Sequence, residues 1–330
     1  MSSAVEQTGE NPSGLTGKTV ITAGITWGAL SLIFFLFNLI QPETEDTLWY
    51  LVGTYVAEWV PSLAGIALCY RNWRSPKIAS GRNVWLAIGL GILAYFLADL
   101  IFCFWEVYWE LDPEVSPADL FYMAFYMCLG TGMILAVLSR RMSLELWQWI
   151  TLSLIAIAGT SLAVWIALAE PAIAIDEPPV LNSEAIAITE IAPAETIDAE
   201  TEAPEVPQWV TSTQDYLLQF STPVNFFYII CDVGLLIIAV MLLLAFWGGT
   251  FSLSWRMIAA AALARYLADM WFKYSATLPT EYASGGFLEV FFVFSGILFA
   301  IGAALEFDIS SRPRKSRRRR TRAAGEGGEA

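Results

Sequence analysis

Histidine is absent from the 330-residue chain. That excludes His-ligated haem or zinc, Ser–His–Asp catalysis and histidine proton relays. Cysteine is scarce: Cys69, Cys103, Cys128 and Cys231 fall in apolar runs without a C-x-x-C spacing. Buried structural thiols are therefore expected rather than a disulfide framework or metal site. Charge is scarce too, at 15% of residues against 56% hydrophobic ones, with a mean hydropathy of +0.56. Other catalytic templates fail in turn. There is no G-x-G-D for an intramembrane aspartyl protease and no close-spaced D-x-x-x-D for prenyl transfer, and Lys273 sits too near a span end for a retinal Schiff base. The expectation is a non-enzyme without a cofactor.

What is present is apolar sequence in runs of about 18–25 residues, long enough to cross a bilayer as helices. Eight spans are expected, at 19–40, 48–70, 84–106, 118–139, 147–169, 223–247, 252–273 and 286–306. The fold class is thus all-α, a polytopic membrane helix bundle. Residues 1–17 are polar and lack bases, and no A-x-A site follows the first apolar run, so no cleaved signal is expected. The net charge of −14 hides a segregation. Arg71, Arg74, Lys77, Arg82, Arg140, Arg141 and Arg256 mark one side, while the loops QPETEDT and VYWELDPEVSP and the long one after span five are acidic. The positive-inside rule places both termini in the cytoplasm. Tryptophans near span ends, Trp49, Trp85, Trp105, Trp109, Trp147, Trp149 and Trp255, are expected in interfacial belts. An aromatic ligand cage around Trp105, Tyr108 and Trp109 is a second reading of three of them.

The chain divides into a polar N-terminus (1–17), a first four-helix half (18–169), an acidic and largely disordered external loop (170–222), the rest of the second half (223–306) and a basic tail (307–330). The external loop reads as a solvated spacer, or as a docking segment for a basic partner or divalent cations. In the tail, Arg317, Arg318, Arg319 and Arg320 are candidates for binding anionic lipid headgroups or a protein partner. Nucleic acid is not expected, since the run lacks interleaved aromatics and a folded scaffold.

The division into halves rests on a duplication. WLAIGLGILAYFLADLIF at 85–102 recurs without a gap as WRMIAAAALARYLADMWF at 255–272. Trp85, Ile88, Asp99 and Phe102 return as Trp255, Ile258, Asp269 and Phe272, and the same offset carries Asp119 onto Glu289 and Gly132 onto Gly302. Two tandem four-helix repeats follow, lying parallel because each has an even number of spans. An acid inside a bilayer costs several kcal/mol, so such acids are candidate sites. Glu58, Asp99, Asp119 form one set and Asp232, Asp269, Glu289 the other. Glu58, Asp99 and Asp232 lie about 10–15 Å from the outer ends of their helices. Arg265, four residues before Asp269, replaces Tyr95 of the first copy and is placed for an i, i+4 ion pair. All seven residues are candidate ligand groups; the other reading is a set of hydrogen-bonded carboxyls that fix helix packing.

Ser116-Pro117-Ala118-Asp119-Leu120-Phe121-Tyr122-Met123-Ala124-Phe125-Tyr126 resembles the "PS-x-AD-x-x-Y-x-x-x-Y" signature of the polytopic input region in many bacterial signalling proteins. There, about eight membrane helices precede a GGDEF, EAL or histidine-kinase output. Asp99 and Asp232 match further acids of that pattern. The resemblance implies a sensor in a bacterial cytoplasmic membrane. This chain, however, has a short Arg-rich tail where an output module would follow, so a separate cytoplasmic partner is implied. A transporter or channel for a cation or amine, and an assembly factor for other membrane proteins, remain alternatives. The orientation is directly testable: an alkaline phosphatase fused at residue 190 is expected to be active, and one fused at residue 312 inactive. The reverse pattern overturns the topology.

Overall fold

The computed structural model describes residues 16–41, 47–111, 113–138, 144–169, 206–245, 252–275, 277–278 and 285–311. Arg317 to Arg320, Arg140, Arg141 and the external loop from 170 to 205 lie outside them. The described elements are helices: α1 (Gly17–Ile40), α2 (Leu48–Arg74), α3 (Arg82–Tyr108), α4 (Asp119–Leu138), α5 (Leu146–Ala167), α6 (Gln208–Leu218), α7 (Ser221–Ala245), α8 (Ser252–Ser275) and α9 (Val290–Ser311). A single 3-10 turn, Phe287–Glu289, leads into α9. Seven of them, α1 to α5, α7 and α9, are long and apolar enough to cross a membrane. This is the architecture of a multi-pass membrane protein. The eighth expected span, α8, has 24 residues but carries Arg256, Arg265, Asp269 and Lys273, and is too charged to qualify by composition.

Four expectations change. The loop expected through residue 222 is helical from Gln208, where α6 buries Val210 completely. The tail expected from 307 continues α9 to Ser311, and Arg71 and Arg74 belong to the last turn of α2 rather than a loop. Trp85 and Trp255 are not in an interfacial belt: both are fully buried, with ring centroids 5.9 Å apart. Trp49, Trp147 and Trp149 are exposed, as a belt requires.

Six helices close a ring in the order α2, α3, α4, α7, α8, α9 and back to α2. Helix α1 packs outside on α9, and α5 outside on α7. Helix α2 contains Pro61, which cannot donate to the carbonyl four residues earlier. That carbonyl, on Ala57, accepts instead from Trp27 Nε1 of α1 at 2.9 Å. Pro61 also offers a flat face to α9, where a side chain on Gly296 would come within 3.3 Å of its ring.

The α3–α4 and α8–α9 seams are built alike. A Cβ on Gly132 would stand 2.8 Å from Ile88 Cγ1 and 3.2 Å from the Val84 carbonyl. A Cβ on Gly302 would stand 2.7 Å from Ile258 Cδ1 and 3.2 Å from the Ser254 carbonyl. Small residues at these crossings let the helix backbones approach, which is how membrane helices gain contact area without a hydrophobic drive. Each seam therefore leaves little room for a methyl group. Gly132→Ala and Gly302→Ala are each expected to destabilise the detergent-solubilised protein by about 1–3 kcal/mol. The check is a lowered thermal midpoint of similar size for both; a midpoint unchanged in either overturns the matched-seam reading.

Candidate functional site

The ring helices direct polar side chains toward one region near the ends of α3 and α8 that carry Asp99 and Asp269. Helix periodicity accounts for their convergence. Tyr95, Asp99 and Glu106 share a face of α3; Asp119, Tyr122 and Tyr126 share a face of α4; Arg265, Asp269 and Lys273 share a face of α8. In an apolar bundle each of these groups needs a partner. Tyrosine hydroxyls supply most of them.

On the α2–α3–α4 side, Tyr95 Oη donates to Glu58 Oε2 at 2.8 Å and Tyr122 Oη to Asp99 Oδ1 at 2.9 Å. Tyr55 donates to Glu106 in a short hydrogen bond. Asp99 is 3% exposed, and its Oδ2 has no hydrogen-bond partner. On the α7–α8 side, Tyr126 Oη lies 2.5 Å from Asp232 Oδ1 and 2.8 Å from Asp269 Oδ2. Asp232 is 1% exposed, and its Oδ2 has only Lys273 Nζ nearby, at 3.9 Å.

Arg265 stands between the two groups. Its guanidinium carbon lies 3.8 Å from the Tyr95 ring centroid, 4.6 Å from that of Phe292 on α9 and 5.2 Å from that of Phe125. It makes no contact ion pair with Asp269, in contrast to the i, i+4 expectation; the aromatic faces attract the cation instead. It remains in electrostatic range of both Asp269 and Glu58. Tyr95 and Arg265 are positions offset by 170, as are Trp85 and Trp255, and in both cases the two residues face each other across the ring.

Of the sequence candidates, Glu58, Asp99, Asp232, Arg265 and Asp269 thus come together. Asp119 sits at the rim, where it accepts from the Ser116 amide at 2.7 Å and, in a short bond, from Tyr228. Glu289 is buried and accepts from the Gly285 amide at 2.9 Å. Both therefore close the turn ahead of a helix, each in the same manner. The aromatic cage is filled by its own rings: Tyr108 stacks on Phe104, and Trp209 of α6 packs edge-on against Trp105 and Trp109.

Sequence reasoning missed the tyrosines, although Tyr122 and Tyr126 stand in the quoted motif at i+3 and i+7 from Asp119. It also missed Glu306, which is fully buried at the other end of α9. Its Oε1 accepts from the Ser80 hydroxyl at 2.7 Å and the Ser80 amide at 3.2 Å, and Ser80 Oγ accepts from Trp85 Nε1 at 2.8 Å. Nearby, Asn72 Nδ2 donates to the Ala303 carbonyl, and the Gly17 amide donates to Asp308. The last turns of α9 thus hold the start of α1, the end of α2 and the α2–α3 connection.

No protein-family model, curated protein or solved structure matches this chain. Tyr122→Phe removes the Tyr122 hydrogen bond to buried Asp99, and should destabilise by about 1–3 kcal/mol. In a double-mutant cycle with Asp99→Asn the two losses should be strongly non-additive. Additive losses overturn the pairing.

Proposed function

We propose that the chain is a non-enzymatic membrane sensor or scaffold with eight spans, both termini cytoplasmic, and a ligand site at the carboxylate cluster open to the outer side. A cationic or hydrogen-bond-donating ligand engages Glu58, Asp99, Asp232 and Asp269, and its binding biases the cytoplasmic helix ends. The observation that carries this reading is the orphaned Oδ2 of Asp99 within a cluster holding four acids and two bases, Arg265 and Lys273. Such an excess of buried acid calls for a cation or protons.

Helix α8 counts as a span because it matches its neighbours in length and stands in the ring between α7 and α9. The duplicated unit is then three helices, α2–α4 and α7–α9, since α1 and α5 pack at inequivalent places. With α5 crossing between them, the two units run parallel. A sensor is favoured over a conduit by the layer beneath the acids. Ile88, Ile92, Leu129, Met133, Ile258 and Ala262 are buried there without polar groups, followed by the Trp85–Trp255 pair. Helix α9 offers the route inward, from Phe292 against Arg265 to Glu306 and Asp308 at the cytoplasmic connections. The resemblance to signalling input regions agrees, and it implies a separate cytoplasmic partner that binds at Arg317 to Arg320, or anionic lipid there.

The acid excess also favours a second reading, a transporter of a cation or amine. One experiment on the full chain in lipid nanodiscs and vesicles separates them. With methylammonium as probe, the sensor reading expects altered hydrogen exchange at residues 75–81 in the wild type, absent in Asp99→Asn, and no uptake into vesicles. Uptake abolished by Asp99→Asn establishes the transporter instead. Wild-type exchange indifferent to the probe counts against the sensor.

A further inference from the structure

The Asp232–Tyr126–Asp269 group has a hydrogen-bond stoichiometry that its ordinary ionisation does not satisfy. A phenol has one proton to donate and lone pairs to accept with, whereas an ionised carboxylate only accepts. Tyr126 Oη is nevertheless within hydrogen-bond distance of a carboxyl oxygen on each aspartate, at 2.5 Å and 2.8 Å. Its single proton serves one contact. The other contact places a lone pair of the phenol against a carboxylate oxygen, which repel unless a proton lies between them. Oδ2 of Asp232, on a side chain 1% exposed, makes no hydrogen bond and has the Lys273 ammonium at 3.9 Å.

We infer that Asp232, Tyr126 and Asp269 form a proton-binding site that holds one proton in addition to the phenolic one, and that this proton ties α4 to α7 and α8. The inference rests on reading the acid cluster as a ligand site and specifies the ligand of its α7–α8 part. When the proton is bound, one aspartate is neutral and donates, the phenol passes its own hydrogen on, and both contacts are made. When it leaves, two anions share one donor and one contact to Tyr126 opens. The surrounding charges set how readily this happens. From α8, Lys273 stands 3.9 Å from Asp232 and Arg265 lies in electrostatic range of Asp269. From α7, Tyr228 lies under Lys273 and donates to Asp119 of α4. Glu58 on α2 lies in electrostatic range of Asp269 and of Asp99 on α3. Tyr266 of α8 faces Asp232 but gives its hydroxyl to the Gly159 carbonyl of α5.

The proton is visible directly by infrared spectroscopy of the full chain in nanodiscs, through the carbonyl stretch of a neutral carboxylic acid. The expected wild-type result is such a band near neutral pH that vanishes in a single-proton step as pH rises. It should be lost in Asp232→Asn and Asp269→Asn, whose amides bring their own donors. Tyr126→Phe keeps both acids and should shift the band without removing it. If the Asn variants are not monodisperse, Tyr126→Phe decides alone, and an unshifted band overturns the site. A wild type without a band sensitive to any of the three substitutions overturns it too. The methylammonium response is a separate readout. Its loss with the band intact removes the sensor reading and leaves the proton site, and the converse removes only the proton site.

Discussion

A carboxyl placed inside an apolar helix bundle must be hydrogen-bonded, paired or neutral, because no water is at hand to solvate it. That constraint organises the ring of α2, α3, α4, α7, α8 and α9. Each acid of the cluster is met by a tyrosine from another helix: Glu58 by Tyr95, Asp99 by Tyr122, and both Asp232 and Asp269 by Tyr126. Every one of these bonds crosses a helix seam. The polar groups therefore specify which helices are neighbours and at what height, a role for which apolar side chains in lipid are poorly suited. Arg265, over Tyr95 and Phe292, extends the same network to α9.

Helix α9 has two polar attachments at opposite ends and an apolar middle. Near its N-terminal end it meets Arg265 through Phe292, and the turn before it is closed by Glu289. At its C-terminal end Glu306, Asp308 and Ser310 take hydrogen bonds from Ser80, Gly17 and Ala79. Between them its face is packed tightly enough that Gly296 and Gly302 admit no larger side chain without movement. Close packing of this kind transmits a shift at one end rather than absorbing it.

The helices were legible because runs of about 20 apolar residues in a chain with so little charge permit little else. Asp99 and Asp269 were legible because an acid within such a run carries a penalty that only a partner or a ligand offsets. The partners were not. Nothing in Tyr122 or Tyr126 separates a hydroxyl that meets an acid on another helix from one at a membrane interface, and Trp85 and Trp255 were misassigned for the same reason. Glu306 was hidden by its position at a span end, where a carboxylate normally reaches solvent. Asp119 and Glu289 shared their offset with the others, yet each also accepts from the backbone of the turn just ahead of its helix.

By itself, the sequence determined an all-helical membrane protein, the positions of its long helices and the acids they carry, because length, hydropathy and charge are local properties. The tertiary structure decided which acids meet. It drew Glu58, Asp99, Asp232 and Asp269 into one group around Arg265, and left Asp119 and Glu289 as turn-closing residues. It also exchanged the expected Arg265–Asp269 ion pair for a guanidinium held among aromatic rings. Those outcomes depend on the order in which helices close the ring, and contacts between helices far apart in sequence leave no periodic trace along the chain.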